Sequence, residues 1–223
     1  MRAFDLVVWD WDGTIVDSTA AITQAILRSA ADLGLPVPSE SSARWVIGLG
    51  LFDALRAAVP SLPREQIPAF IERYRVHYLR AEKELQVFEG IPALLERLDA
   101  AGSLLAVATG KSRVGLERAL DQTGLRCRFI DTRCADEGAP KPDPWMLQDL
   151  AQTLGVAPDR MVMIGDTTHD VGMARAAGAA SVAVLYGAHD EATLRASEPD
   201  ALIQSVPELS LWLEARGALE SVS

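Results

Sequence analysis

The five residues Asp10-Trp11-Asp12-Gly13-Thr14, set directly after the apolar run Phe4 to Trp9, constrain this chain more than any other stretch. Leu6 to Trp9 is too short and too closely bounded for a helix and reads as a buried parallel strand. Two carboxylates two positions apart then leave its C-terminal end, where open α/β sheets gather their ligands. Period-two geometry directs Asp10 and Asp12 the same way, although a turn at Gly13 is able to swing the second one outward. Such a pair can hold a hard divalent cation, or divide nucleophile and acid/base duties between its members. The bland alternative is an acidic turn, since Asp and Gly are ordinary turn formers.

Three further signals fall where a sheet-based active site needs them. Leu104 to Ala108 is a second buried strand, ending in Thr109-Gly110-Lys111-Ser112. Met161 to Ile164 is a third, ending in Gly165-Asp166-Thr167-Thr168-His169-Asp170. Between them lies Pro140-Lys141-Pro142-Asp143-Pro144, a lysine held between prolines in front of a helix. A strand-end hydroxyl, a fixed lysine and a second acidic cluster together suit phosphate and Mg²⁺, which favours one or two carboxylates plus substrate phosphate.

Helix and strand signals alternate through most of the chain, which implies a doubly wound parallel sheet with helices on both faces. The spacing predicts strands at 6–10, 104–109, 128–131, 161–165 and 181–185, with a weaker one at 201–203. Glycines 34, 102, 124, 155 and 178 each follow a helical run, as C-terminal caps do. The stretch from 17 to 87 is the exception. It carries no strand signal, and Ile22, Ile26 and Leu33, then Ile67, Ile71, Tyr74 and Tyr78, follow helical spacing. Five prolines between Pro36 and Pro68 cut it into separate helices. The expected organisation is a Rossmann-like catalytic core from 1–16 and 88–216, an inserted all-helical cap from 17–87, and a loose tail from 217–223. An accessory helical bundle is the competing reading of the insert.

The chain has 223 residues, 49% of them hydrophobic, which fits a globular protein with a sizeable core. Its formal charge of −10 argues against nucleic acid or an anionic membrane surface as a partner. An anionic substrate then needs locally placed positive charge or a bound metal. No leader or spanning segment is legible at the N-terminus, and Cys127 and Cys134 lack metal-ligand spacing, so a reducing, cytoplasmic setting is expected. Lysine occurs three times against eighteen arginines, and two of the three, Lys111 and Lys141, lie in the candidate motifs. A compact ammonium and a planar guanidinium are not interchangeable, which gives that bias a chemical reading beside the chance one.

In Asp10-x-Asp12-Gly13-Thr14, Thr109, Lys141-Pro142 and Gly165-Asp166-x-x-x-Asp170, the chain resembles the haloacid dehalogenase (HAD) superfamily, in its phosphatase branch with a small helical cap. The resemblance implies that Asp10 is the nucleophile and forms an aspartyl-phosphate, and that Asp12 is the acid/base that serves the leaving alkoxide and then the water. The dehalogenases of the superfamily lack this second aspartate. It further implies that Thr109 and Lys141 contact the transferring phosphoryl group, with Lys141 neutralising charge. Backbone N–H groups from Trp11 to Gly13 would cradle phosphoryl oxygens. Gly110 departs from relatives that carry Asn there and leaves only an N–H to offer. Asp166 would ligate Mg²⁺ beside Asp10 and the backbone carbonyl of Asp12, with Asp170 acting through water or by orienting Lys141. Asp166 could instead serve as a helix N-cap. Arg44, Trp45 and Gly48-Leu49-Gly50 are candidate substrate readers, against a reading as ordinary helix packing. Lys111 reads as a surface or helix-start residue, His169 as packing or surface, and His77 and His189 show no partner signal.

The function implied is a Mg²⁺-dependent, phosphoglycolate-phosphatase-like hydrolysis of a small phosphorylated metabolite, by a monomer or homodimer. A phosphonatase would need a Schiff-base lysine in the cap, and 17–82 has none. A β-phosphoglucomutase-type isomerase usually carries an arginine after the cap-loop glycine and a Glu-Asp pair in the last motif. Leu49 and Gly165-Asp166 stand at those positions. A receiver-like signalling module or a binding protein is the reading from a different class; receivers are smaller and lack a helical insert.

Overall fold

Both faces of the first strand are buried, so its side chains alternate between two cores. In the computed structural model, which describes residues 3–219, β1 (Leu6–Trp9) turns Val7 and Trp9 to one side and Leu6 and Val8 to the other. That near-continuous apolar run is what a parallel strand covered by helices on both faces requires. The strand lies at the centre of a six-stranded sheet with β2 (Leu104–Thr109), β3 (Asp131–Cys134), β4 (Met161–Gly165), β5 (Ala180–Val184) and β6 (Ala201–Ile203). The order is β3-β2-β1-β4-β5-β6, all pairs parallel. Chain direction across the sheet reverses between β1 and β4, and at such a switch point the strand ends open a crevice for ligand. Trp9 pairs with Val107 on one side and Ile164 on the other, so the segments after β1, β2 and β4 emerge together.

One face carries the helices Ile91–Ala100, Arg113–Thr123 and Val206–Ala215, which pack Leu94, Leu95, Leu116, Leu209 and Leu213 on Val107, Val162, Ile164 and Val182. The other carries Trp145–Leu154 and Thr168–Ala177, which pack Met146, Leu150 and Met173 on Val8, Ala106 and Met163.

Between β1 and β2 the chain forms α1 (Thr19–Asp32), α2 (Glu40–Trp45), α3 (Leu51–Ala58) and α4 (Ile67–Glu82). They bury a core of their own around Ile22, Ile26, Val46, Leu55 and Phe70. The insert leaves and rejoins the sheet domain at one point: Val16 bridges Val87, and Asp17 N–H donates to the Gln86 carbonyl at 3.0 Å.

Two sequence expectations shift. The third strand begins at Asp131 and not at 128, because Arg126–Arg128 closes a 3-10 turn that delays pairing. The loose tail expected from 217 is packed at its start: Ala218 and Leu219 are buried, and the Ala218 carbonyl accepts from Ser103 Oγ at 3.2 Å. Residues 220–223 lie outside the described ones. Among the described residues no helix is long and apolar enough to cross a membrane.

Candidate active site

The loop after β1 is shaped by a glycine that nothing else could replace. Gly13 has φ +77°, and a Cβ there would fall 2.1 Å from Asp166 Oδ2. The left-handed turn and the missing side chain together let the first acidic segment lie against the second. Trp11 anchors the same loop from below, fully buried and edge-on to Phe129 at 6.3 Å.

Asp10, Asp166 and Asp170 meet here, with one carboxylate oxygen of each lying within 4.8 Å of the others. Lys141 reaches into the group, 2.9 Å from Asp10 Oδ1 and 2.6 Å from Asp170 Oδ1, with its side chain wholly buried. Three carboxylates against one ammonium leave an excess of buried negative charge. Burial pushes the Asp10 carboxyl up to about 7 despite the pull of Lys141, and it moves Asp166 upward as well. Burial opposes the Lys141 charge too, but Asp10 and Asp170 outweigh it and hold the ammonium above its ordinary value. An isolated buried charge is costly, so the lysine is a structural necessity among these carboxylates.

Each acid is oriented by fixed donors. Asp166 accepts from Thr14 Oγ1 at 2.9 Å and from the Ala188 N–H at 2.6 Å. Asp170 Oδ2 accepts from the Thr167 N–H at 3.1 Å and Thr167 Oγ1 at 2.7 Å, which ties the acid to the start of the helix that carries it. Asp10 Oδ1 accepts from the Trp11 N–H at 2.7 Å, whereas buried Asp10 Oδ2 has no hydrogen-bond partner. A buried carboxylate oxygen without a donor, beside two more carboxylates, fits a hard divalent cation with oxygen ligands.

Asp12 stands apart from this cluster. Its Oδ1 accepts from Ser18 Oγ at 2.6 Å and pairs with Lys111 Nζ at 3.1 Å. Lys111 is therefore not the surface residue the sequence suggests; its side chain is 9% exposed and also donates to Tyr78 Oη of α4 at 2.8 Å. Burial opposes the lysine's charge, but Asp12 overrides it and raises the ammonium above its ordinary value. Thr109 is buried at the end of β2 and its hydroxyl accepts the Lys111 N–H at 3.2 Å.

Two of the amides expected to cradle phosphoryl oxygens are spent inside the loop. Trp11 N–H serves Asp10, and Gly13 N–H donates to the Val16 carbonyl at 2.8 Å. The loop closes on itself, and of the three only the Asp12 amide has no partner among the described residues.

Arg44 and Trp45 lie at the seam between insert and core and do not line the cavity described below. Arg44 Nη2 reaches the Gly187 carbonyl at 3.4 Å. The Trp45 carbonyl lies 3.0 Å from His169 Nε2 and 2.9 Å from His189 Nε2. His189 Nδ1 accepts the Thr168 N–H at 3.1 Å, so its Nε2 carries the proton donated to Trp45. Burial lowers the pKa of both imidazoles, keeping them neutral at neutral pH. His77, the third histidine, lies 2.8 Å from Asp32 within the insert.

The loop after α2 is seated hard on the end of β2. A Cβ at Gly110 would lie 2.5 Å from the carbonyl oxygens of both Gly48 and Leu49. Gly110 thus permits the insert to close on the sheet domain, a reason unconnected with phosphate. Under the closed insert lies a cavity of about 470 Å³. Asp12, Gly110 and Lys111 form part of its lining from the core, and α1, α3, α4 and the segment after α2 supply most of the rest.

The protein is thus an open α/β sheet with a buried carboxylate–lysine centre at its switch point and a helical insert seated against the end of β2. The family model for haloacid dehalogenase-like hydrolases matches residues 7–184. Over 210 residues the chain is 33% identical to the protein named probable phosphatase IndB of Dickeya dadantii (strain 3937), covering 92% of this chain and 91% of that one. It is 30% identical to a phosphoglycolate phosphatase of Agrobacterium fabrum (strain C58 / ATCC 33970), over 96% of this chain and 95% of the other. The crystal structure of a predicted phosphoglycolate phosphatase from Haemophilus somnus 129pt superposes with a TM-score of 0.83 at 25% identity, covering 94% and 97% of the two chains. The chain belongs to the haloacid dehalogenase-like hydrolase family.

Thr14, Ser18 and the Ala188 amide have no role in the sequence reading, yet they orient Asp166 and Asp12. Thr14 was legible by its place in the first motif. Ser18 and Ala188 carry no sequence signal, since their contacts are set by the turn at 11–16 and by the loop after β5.

Proposed function

We propose that this phosphatase hydrolyses a small phosphomonoester through an aspartyl-phosphate on Asp10, with Mg²⁺ as cofactor. The observation that carries the proposal is buried Asp10 Oδ2, the one oxygen of the carboxylate cluster left without a hydrogen-bond partner. Asp10, Asp166 and Asp170 are the residues that would hold the metal, together with the backbone carbonyl of Asp12. Bound there, a divalent cation supplies charge neutralisation at the phosphoryl oxygens.

The residues divide the remaining work. Asp10 attacks phosphorus, forming an O–P bond as the ester O–P bond breaks, and Asp12 gives its proton to the departing alkoxide. Asp12 then takes a proton from water as that water attacks phosphorus, which releases phosphate and restores the Asp10 carboxylate. Lys141 balances charge on Asp10 and the phosphoryl group, and Thr109 offers a hydroxyl to it. The insert at 17–87 acts as a cap on the core formed by 1–16 and 88–216, excluding bulk water during the first step. Free Cys127 and Cys134 favour a cytoplasmic setting.

The test is phosphate release from a panel of phosphorylated metabolites, with Mg²⁺ or with EDTA, by the wild type and Asp10→Asn. Release that needs Mg²⁺ and Asp10 is the expected result. Metal-independent release, or full activity in the variant, would overturn the scheme. The names of the relatives make phosphoglycolate the first compound to try.

A further inference from the structure

Among the four acidic residues of the site, Asp12 alone reaches the cavity; Asp10, Asp166 and Asp170 lie sealed below it. If Asp12 protonates the leaving oxygen, the remainder of the released alcohol extends from that point into the cavity. The character of the cavity then describes the alcohol.

Size is the first indication. At about 470 Å³, and partly open to solvent, the cavity has the size of pockets that take a ligand larger than a hydroxy acid of two carbons. A two-carbon hydroxy acid would leave most of the space to water. Polarity is the second. Ile22 and Ile26 of α1, Val46 and Ile47 after α2, and Tyr74 and Tyr78 of α4 give the walls a predominantly apolar surface. The two tyrosine rings stack 5.8 Å apart with an interplanar angle of 7°, and since Tyr78 is buried with Lys111 Nζ 4.7 Å from its ring centre, Tyr74 presents the more open ring to a flat group.

Charge is the third indication. A carboxylate close to the phosphoryl group needs an uncommitted cation beside Asp12. Lys111 is already shared between Asp12 and Tyr78. Arg118 is bound in fork geometry by Glu82, at 2.6 and 3.0 Å. Two of the three cations of the lining are thus already engaged by carboxylates, and the third, Arg75, stands on the exposed face of α4.

We propose that the released alcohol carries a ring or a comparably broad apolar body, and that the cavity selects such esters over those of two- and three-carbon hydroxy acids. The proposal deepens the phosphatase reading and rests on it. The stacked tyrosines and the segment after α2 bind the body of the alcohol, and the Lys111–Asp12 pair marks the end at which the ester bond is cleaved.

The test compares kcat/KM for phosphate release from phosphoglycolate, glycerol 3-phosphate, benzyl phosphate and a nucleoside 5′-monophosphate, using the full chain with Mg²⁺. Acetyl phosphate serves as a reporter that makes no demand on the cavity. At least one ring-bearing ester should exceed phosphoglycolate by about tenfold or more. Ala54→Leu, which adds carbon atoms to the lining from α3, and Tyr74→Leu, which removes one face of the stack, should each reduce that ratio by about tenfold. A ratio cancels any general loss from impaired folding. Phosphoglycolate turned over as well as both ring-bearing esters, or a ring preference that neither variant alters, would overturn the inference and leave the phosphatase intact. Failure to release phosphate from every compound, acetyl phosphate included, would instead overturn the phosphatase reading.

Discussion

The centre around Asp10 and the cavity under the insert differ in almost every physical respect, although Asp12 belongs to both. The centre is sealed, dense in charge and built from strand ends whose positions the sheet register sets. The cavity is roomy, largely apolar and built from helices that contact the sheet domain through a few seams. Bond-breaking needs charges fixed before substrate arrives, because reorienting dipoles during the reaction costs free energy. Selection among leaving groups needs only shape and apolar area. Lys141 and Lys111 express the difference: one is buried among the carboxylates of the centre, and the other ties Asp12 to a tyrosine of the insert.

The largest effect that separates the two regions is expected from Asp10→Asn. Loss of the proposed nucleophile should lower kcat by about 10⁴-fold or more, with every substrate affected alike. Rate assays across the panel check this, and a substrate-dependent loss would show that the centre and the cavity are not separable.

Lys141→Met should come next. It leaves Asp10 and Asp170 without their counter-ion, so folding stability in metal-free buffer should fall by about 3–5 kcal/mol. Urea denaturation measures it. Unchanged stability would mean that the buried charge of the centre is compensated elsewhere.

The pH dependence of stability sharpens the same contrast. Burial raises the Asp10 carboxyl from 3.8 to about 7, with Asp166 shifted in the same direction. A carboxyl with a raised folded value keeps its proton longer in the folded state, so its contribution is full below the unfolded value and is lost as pH rises through the folded one. With EDTA present, the urea midpoint should therefore fall between about pH 4 and pH 7. Added Mg²⁺ should reduce the slope, and Asp10→Asn should remove much of it. A flat profile in the wild type would contradict the buried-charge account.

The smallest effect should come from Tyr78→Phe, which keeps the ring but removes the hydroxyl that accepts from Lys111. A hydrogen bond to a charged group that is lost at the edge of the cavity is worth about 1–2 kcal/mol, or a loss of about five- to thirtyfold in kcat/KM. Kinetics on a ring-bearing and a small ester would show whether the loss is shared, which places Lys111 with the centre, or confined to one, which places it with the cavity.

Much of the centre was legible because its residues sit at the ends of apolar runs with short, regular spacing. Asp10 and Asp166 follow β1 and β4 and Thr109 closes β2, and parallel pairing of those strands brings their ends together. Glycines 34, 102, 124, 155 and 178 all have positive φ, as caps closing helices do. The seam residues were not legible in the same way. Arg44 and Trp45 are candidate substrate readers by resemblance to the cap loop that relatives use for this, yet they end α2 and their contacts are with Gly187, His169 and His189. Lys111 was conspicuous only as one of three lysines. Its partners lie 99 positions N-terminal, at Asp12, and 33 N-terminal, at Tyr78, and no local pattern pairs residues so far apart.

The sequence by itself determined the ends of β1, β2 and β4, the acidic and basic groups they carry, and the all-helical character of 17–87. These are local properties, set by hydrophobic periodicity and turn chemistry within a few residues. Only the tertiary structure decided which donors hold each carboxylate, how closely the insert sits on Gly110, and that Lys111 joins Asp12 to Tyr78. Those contacts arise from the docking of elements far apart in the chain, where packing rather than local spacing sets the distances.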